Sequence, residues 1–260
     1  MKIVVLVKQV PDSGADRTLR TDDNTVDRAS ANNVINEMDE YAIEEALRIR
    51  EANAGSEVTL LTMGPDRATE SIRKALSMGP DKAVHVVDDA LHGSDALGTS
   101  AVLAAALRQL EPDLVICGAE ATDARGQVLP HMLAERLGVA ALTGARKLTV
   151  EGSTLTAERQ TEEGYEVVRA ATPAIVSVWD TINEPRYPSF KGIMEAKKKP
   201  VSSLALGDLG IDAASVGAAG AYSAVVEHSK RPARAGGVKV TDNGDGGSQL
   251  VEFLATEKFV

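Results

Sequence analysis

Residues 57–87 read EVTLLTMGPDRATESIRKALSMGPDKAVHVV. EVTLLTM (57–63) and AVHVV (83–87) are short apolar runs of the kind found in strands buried on both faces. Between them Gly64-Pro65 punctuates the first strand, Asp66 opens a helix through Leu76, and Gly79-Pro80 closes it. A strand, a helix and a second strand in so short a span predict a parallel pair joined by a right-handed crossover.

The alternation continues outward in both directions. IVVLV at 3–7 is a strand. The polar stretch from Gln9 to Asn33 that follows is too long for a structureless loop in a compact domain, and is expected to form a hairpin or to serve the site. The spacing of Met38, Tyr41, Ala42, Glu45, Leu47 and Ile49 predicts a helix with Asn36 as its N-cap and Gly55 beyond its end. A helix from Ser94 to Leu110 follows AVHVV. DLVICG (113–118) is a fourth strand, and a turn at 119–125 leads into a helix from about Gly126 to Leu137. This repetition predicts an α/β fold, a parallel sheet with helices on both faces. Past Gly138, LTVEGSTLTAER (148–159) and GYEVVRA (164–170) read as antiparallel additions, and AIVSVW (174–179) returns to a buried strand. From Val201 the chain is rich in Gly, Ala and Ser and too poor in large apolar groups for its own core. The expected organisation is an α/β domain over 1–200 and an extended C-terminal arm over 201–260 that lies on another chain.

Composition narrows the function. A formal charge of −10 argues against duplex nucleic acid as the main partner. Aromatic residues make up only 3%, too few for a base-stacking platform. No apolar run approaches a bilayer span, so membrane insertion is not expected. Met1 leads straight into a strand without a secretory h-region, and a cytoplasmic location is expected. The lone Cys117 rules out a disulfide framework and a cysteine-rich metal site. The four histidines, His85, His92, His131 and His228, fall in unrelated contexts and form no metal set. Glu44 and Glu45, without a partner base, are expected on the surface. No nucleophile, base and orienter assemble, so the chain does not read as a catalyst acting alone.

An open parallel sheet binds ligands at the carboxyl ends of its strands. There lie Lys8–Gly14, Gly64–Asp66 and GAEATDARGQV (118–128). The last joins a strand to a helix through small residues and a carboxylate, and free N–H groups at the start of that helix suit a phosphate. An ordinary βα turn is an equal reading from physics alone. No Walker A motif or GxGxxG fingerprint follows any strand. PDSGAD (11–16) has a faint likeness to the phosphate loop of ATP pyrophosphatases but lacks their paired glycines. NEPRYPSFKGIMEAKKKP (183–200) carries five Lys/Arg against two Glu. It sets Tyr187, Pro188, Phe190, Ile193 and Met194 beside Lys197, Lys198 and Lys199: an apolar anchor ringed by cations, as a docking loop for an acidic partner requires. A helix end with a lysine tail is the plainer alternative.

Together these segments resemble the β subunits of electron transfer flavoproteins along essentially the whole chain. The likeness is carried by VLVKQVPD (5–12), NEMDEYAIEEAL (36–47), GPDRATESIRKALSMGPDKAVHV (64–86), GAEATDARGQV and, most specifically, INEPRYPSFKGIMEAKKKP (182–200), which looks like the family's recognition loop. The resemblance implies a nucleotide-binding fold of the adenine nucleotide alpha hydrolase-like type. It implies a non-catalytic electron carrier in a heterodimer with an α subunit that holds the redox FAD at the interface. Electrons would come from acyl-CoA-type dehydrogenases and pass to a quinone oxidoreductase. It also implies a structural AMP in this chain, contacted by Leu6, by Asn36, Glu37, Met38 and Asp39, by Met63, and by Gly118, Ala119, Glu120, Ala121, Thr122, Asp123, Ala124, Arg125, Gly126, Gln127 and Val128. Asp123 would be the family's carboxylate, and Gly126, Gln127 and Val128 the phosphate-facing helix start.

Two departures bear on the ligand and the docking loop: the 118–128 loop is slightly shorter than in common members, and Phe190 stands where a leucine anchor is usual. The VKQVPD start also occurs in the bifurcating and nitrogen-fixation-linked branch, where a second FAD replaces AMP. Arg125 and the short loop favour AMP. An ATP-handling enzyme or nucleotide sensor of the same fold, and a scaffold with an empty pocket, are the rival classes.

Overall fold

A computed structural model describes residues 1–234, 236–237 and 239–260. The expected alternation is realised in order: β1 (Lys2–Leu6), β2 (Gln9–Pro11), β3 (Asn33–Ile35), α1 (Glu37–Ala52), β4 (Glu57–Met63), α2 (Thr69–Met78), β5 (Lys82–Val86), α3 (Ala96–Leu110), β6 (Leu114–Gly118) and α4 (Leu129–Leu137). Then come β7 (Ala140–Glu151), β8 (Thr154–Thr161), β9 (Gly164–Ala171), β10 (Ala174–Val178), α5 (Phe190–Ala196), β11 (Val201–Leu204), α6 (Gly217–Gly220) and α7 (Gly246–Thr256). Nine strands form one sheet in the order β11-β5-β4-β1-β6-β10-β7-β8-β9. It is parallel from β11 to β7, and β8 and β9 extend it as an antiparallel meander.

Strand periodicity divides the core. Ile3 and Val5 of β1 face one side, with Ile43 and Leu47 of α1 and Ile72 and Leu76 of α2. Val4 and Leu6 face the other, with Val102 and Leu107 of α3 and Leu133 of α4. Burying each such side chain stabilises the fold by about 1.5–3 kcal/mol, which is why a run as short as IVVLV suffices to fix the central strand. The order of the strands reverses at β1: the chain runs to β4 and β5 on one side, then crosses to β6 on the other. This is the topological switch point, where a crevice opens at the carboxyl ends.

The polar stretch after β1 forms a hairpin, as expected, with β2 paired to β3 and an outer bridge between Leu19 and Val26. Two helix boundaries differ from expectation. Helix α3 begins at Ala96 rather than Ser94, because the Asp95 carboxylate accepts from Gly98 N–H at 2.8 Å and makes Asp95 the cap. Helix α4 begins at Leu129, three residues later than Gly126, because Arg125 (φ 49°) and Gln127 (φ 53°) take left-handed backbone that a helix cannot include.

The arm also starts later than Val201. β11 pairs in parallel with the otherwise open edge of β5, and Leu206 and Val216 are buried in the core beside α3. One compact unit therefore spans Met1–Val226, and Glu227–Val260 form a second, smaller unit containing α7. Leu206 and Val216, with Leu204, Leu209 and Ile211 packed beside them, and the β11–β5 pairing bring this Gly/Ala-rich segment into the first unit.

That assignment is testable by denaturation. Leu206→Ala should destabilise the chain by about 2–5 kcal/mol through the cavity it leaves. Leu250→Ala on α7, whose side chain is exposed, should leave the main urea transition in place. Equal, small effects would show that residues 201–226 lie outside the core.

Candidate functional site

The crevice at the switch point is a cleft of about 820 Å³, within the range of small-molecule sites. Its walls come from the ends of β1, β4 and β6, the loop before α4, and the outer part of the β2–β3 hairpin.

Asp39, in the first turn of α1, holds the base of the cleft together. It is buried, and its two oxygens accept from Lys8 N–H at 2.8 Å and Gly118 N–H at 3.2 Å. One carboxylate thus ties the chain leaving β1 to the last residue of β6. Burial pushes its pKa up to about 7, against the opposing pull of those hydrogen bonds. Helix α1 approaches so closely that a Cβ on Gly118 would stand 2.5 Å from Met38 Cβ and 2.7 Å from the Asp39 carboxylate. Only glycine fits there.

Asn36 occupies the N-cap position, but its side chain does not cap α1. Its Nδ2 donates to the Glu120 carbonyl at 2.9 Å and its Oδ1 accepts from Thr122 N–H at 3.0 Å, so it fixes the loop after β6. Asp123 anchors the same loop from below. Its carboxylate is almost fully buried and pairs with Lys8 Nζ at 2.8 Å and with the Arg28 guanidinium. Burial raises the Asp123 pKa, yet Lys8 and then Arg28 outweigh it and hold the group below the usual carboxylate range.

These restraints leave donors unused. Within 118–128, the amides of Gly118, Ala119, Thr122, Ala124 and Arg125 are bonded inside the chain. Those of Glu120, Ala121, Asp123, Gly126, Gln127 and Val128 donate to no group among the described residues; of these, Gly126, Gln127 and Val128 are consecutive and all line the cleft. Arg125 and Gln127 take left-handed backbone, a conformation that also occurs in anion-binding nests of successive N–H groups. The free N–H groups of Gly126, Gln127 and Val128 lie in the turn before α4 and not in the helix itself.

Of the residues expected at a nucleotide site, Leu6, Asn36, Asp39, Met63, Gly118, Ala119, Glu120, Ala121, Ala124, Gly126, Gln127 and Val128 border the cleft. Glu37, Met38, Thr122, Asp123 and Arg125 do not. Glu37 accepts from Ser13 Oγ at 2.8 Å, Met38 packs against Gly118, Thr122 and Asp123 hold the loop, and Arg125 is largely exposed, 4.0 Å from Glu120. The reading by sequence overlooked Arg28, Arg67, Ser94 and Thr99, which also border the cleft. Arg28 sits in a polar stretch without periodicity, where no pattern marks which cation folds back.

The segment after β10 forms a second surface. Tyr187 and Phe190 are 95% and 82% exposed, and Ile193 and Met194 are half-exposed. Lys197 and Lys198 are exposed, but Lys199 is not a free rim charge, since its Nζ donates to the Leu76 carbonyl at 3.1 Å. Glu44 and Glu45, expected on the surface, are buried because this segment covers them: Glu44 binds Arg186 and Glu45 accepts from Asn183 Nδ2 at 3.1 Å. Among the described residues, no group of His, Cys, Asp and Glu could hold a metal ion, and no helix is long and apolar enough to cross a membrane.

A sequence model of the electron transfer flavoprotein domain matches residues 23–209. The chain is 51% identical, over 99% of both chains, to the electron transfer flavoprotein subunit beta of Mycobacterium tuberculosis (strain ATCC 25618 / H37Rv). The chain belongs to the electron transfer flavoprotein β-subunit family. It is 36% identical over the full length of both chains to the same subunit of Megasphaera elsdenii. It is also 34% identical, over 93% of this chain and 92% of the other, to the caffeyl-CoA reductase-Etf complex subunit CarD of Acetobacterium woodii. The family relationship makes an electron-carrying role the frame in which the cleft and the exposed segment are to be understood.

Asp39 gives the site a pH signature. The folded state keeps its proton up to about pH 7, whereas the unfolded chain releases it near pH 4. The folded state therefore binds more protons in that window, and this group's contribution is full below about pH 4 and lost as pH rises to about 7, by at most ~1.4 kcal/mol per unit. Urea denaturation of Asp39→Asn across this window should show a flatter pH dependence than wild type. Superimposable slopes would mean that Asp39 does not titrate there.

Proposed function

We propose that this chain is the β subunit of a heterodimeric electron transfer flavoprotein, with a structural AMP in the cleft at the β1/β6 switch point. In this reading an α subunit holds the redox FAD at the interface. Electrons arrive from acyl-CoA-type dehydrogenases and leave to a quinone oxidoreductase. The observation that carries the AMP assignment is the set of unused amides at Gly126, Gln127 and Val128, facing a cleft bordered by Arg28 and Arg67. Free N–H groups with nearby cations suit a phosphate, and the apolar walls from Leu6, Leu61 and Leu103 suit an adenosine. The flavin, when bound, supplies the redox chemistry. This chain's own residues bind the nucleotide, shape the interface and present the segment 183–200 to the donor. Lys197 and Lys198 would steer an acidic partner, and Tyr187, Pro188, Phe190, Ile193 and Met194 would provide its apolar seat. The second unit, with Leu250, Val251 and Phe253 exposed on α7, is suited to lie on the α subunit.

A second reading keeps the fold and the heterodimer but places another FAD in this cleft, as in the bifurcating branch. The likeness to the CarD subunit favours it, as does a cleft large enough to include Leu91, His92 and Ser94 in its lining.

Acid release of the nucleotide from the purified heterodimer, followed by chromatography, separates the two. One AMP and one FAD per heterodimer is the expected result. Two FAD would establish the second reading, and ATP or ADP without flavin would overturn both. A companion variant tests the placement. A Cβ on Gly126 would meet nothing closer than Val128 Cγ2 at 3.9 Å. Gly126→Asp should therefore fold while setting a negative charge beside the free amides, and AMP content should fall severalfold. Full AMP content in that variant would exclude this turn as the phosphate site.

A further inference from the structure

The exposed segment 183–200 is not a loose loop. At its start, the Arg186 guanidinium reaches two carboxylates of α1: Nε and Nη2 donate to Glu44 at 2.7 and 3.0 Å, and Nη1 donates to Glu51 at 2.6 Å. Arg186 N–H also donates to Glu44 at 3.2 Å. Glu44 is almost fully buried and also accepts from Arg48 Nε at 3.1 Å. Three residues earlier, Asn183 Nδ2 donates to the Tyr41 carbonyl at 3.0 Å and to Glu45. At the far end, Arg73 Nη1 of α2 donates to the carbonyls of Ala196 and Lys199 at 2.8 and 2.7 Å. Between these ends α5 lies against α2 so tightly that a Cβ on Gly192 would stand 2.5 Å from the Ser77 carbonyl oxygen.

The segment is fixed by its polar groups, by Gly192 and by the buried Ala196. Tyr187 and Phe190 take no part and stay exposed.

We infer that Arg186, clamped between Glu44 and Glu51 of α1, is a positioning residue that pre-organises the apolar anchors of the docking segment for the electron-donating dehydrogenase. The inference rests on the docking role proposed above for 183–200. Arginine suits the task because its planar fork engages both carboxylates with two donors each, Nε and Nη2 on Glu44 and Nη1 and Nη2 on Glu51. The single nitrogen of a lysine cannot reproduce that geometry. A segment already held in its binding conformation does not lose that freedom on association, so the clamp acts on complex formation and not on the electron-transfer step.

The test uses the complete heterodimer, with an acyl-CoA dehydrogenase reduced by its own acyl-CoA substrate as electron donor. Arg186→Gln should raise the KM for the dehydrogenase about tenfold, equivalent to about 1.4 kcal/mol, with kcat, flavin content and nucleotide content unchanged. Arg186→Lys should fall between wild type and Arg186→Gln. A purely structural role would instead lower kcat and cofactor content together. Phe190→Ala, measured in parallel, separates the two levels of the argument. If Phe190→Ala raises KM and Arg186→Gln does not, the clamp is overturned while the docking role stands. If neither changes KM, the docking role fails and the clamp with it. Should Arg186→Gln not assemble, Gly192→Ala decides: it pushes α5 off α2 without touching a charge, and must raise KM at constant kcat, whereas a wild-type KM would overturn pre-organisation of the segment.

Discussion

The buried carboxylate of Asp39 is the constraint on which the site depends. Parallel strands leave their carboxyl ends with backbone donors that the sheet cannot satisfy. At the switch point β1 and β6 end side by side, and one side chain from α1 answers both, at Lys8 and Gly118. The cost is a desolvated acid with a raised pKa. The return is a fixed distance between the two loops that form the cleft. Gly118 is the complement of this arrangement, since any side chain there would meet α1.

From that point α1 serves both surfaces. Its first turn carries Asp39, with Asn36 just ahead of it, and these set the loop that ends in the free amides of Gly126–Val128. Further along the helix, Glu44, Glu45 and Glu51 grip the start of the exposed segment. The cleft and the segment are thus fixed to the same rigid rod, on a sheet buried on both faces. Asp123 reinforces the first of these attachments by drawing Lys8 and Arg28 together. A buried acid with two cationic partners leaves either cation costly to remove, and so ties the outer hairpin to the cleft floor.

What the sequence made legible follows from periodicity. IVVLV, EVTLLTM, AVHVV and DLVICG are short, continuous and apolar, and they alternate with helical patterns, so the parallel sheet and its helices could be inferred. Single residues whose role depends on long-range contact could not. Glu44 and Glu45 look like surface acids on an amphipathic helix, and only the fold brings Arg186 and Asn183 over them. Asn36 has the residue type and position of an N-cap, yet spends its hydrogen bonds on a loop 84 residues away in sequence. Lys199 reads as the third member of a lysine run, but its neighbour is a helix-end carbonyl. The late start of α4 at Leu129 was hidden for a different reason: nothing in the residue types of Arg125 and Gln127 announces left-handed backbone, which glycine or asparagine would have suggested.

The central claim is that the turn at Gly126–Val128 is a phosphate cradle whose donors are left free by the surrounding network. Amide hydrogen exchange of these three residues, followed in the heterodimer stripped of nucleotide and again after adding AMP, tests it most directly. The account predicts fast exchange without AMP and marked protection with it, with little change at Thr122 and Ala124, whose N–H groups are already bonded within the chain. Exchange at Gly126–Val128 that is indifferent to saturating AMP would contradict it.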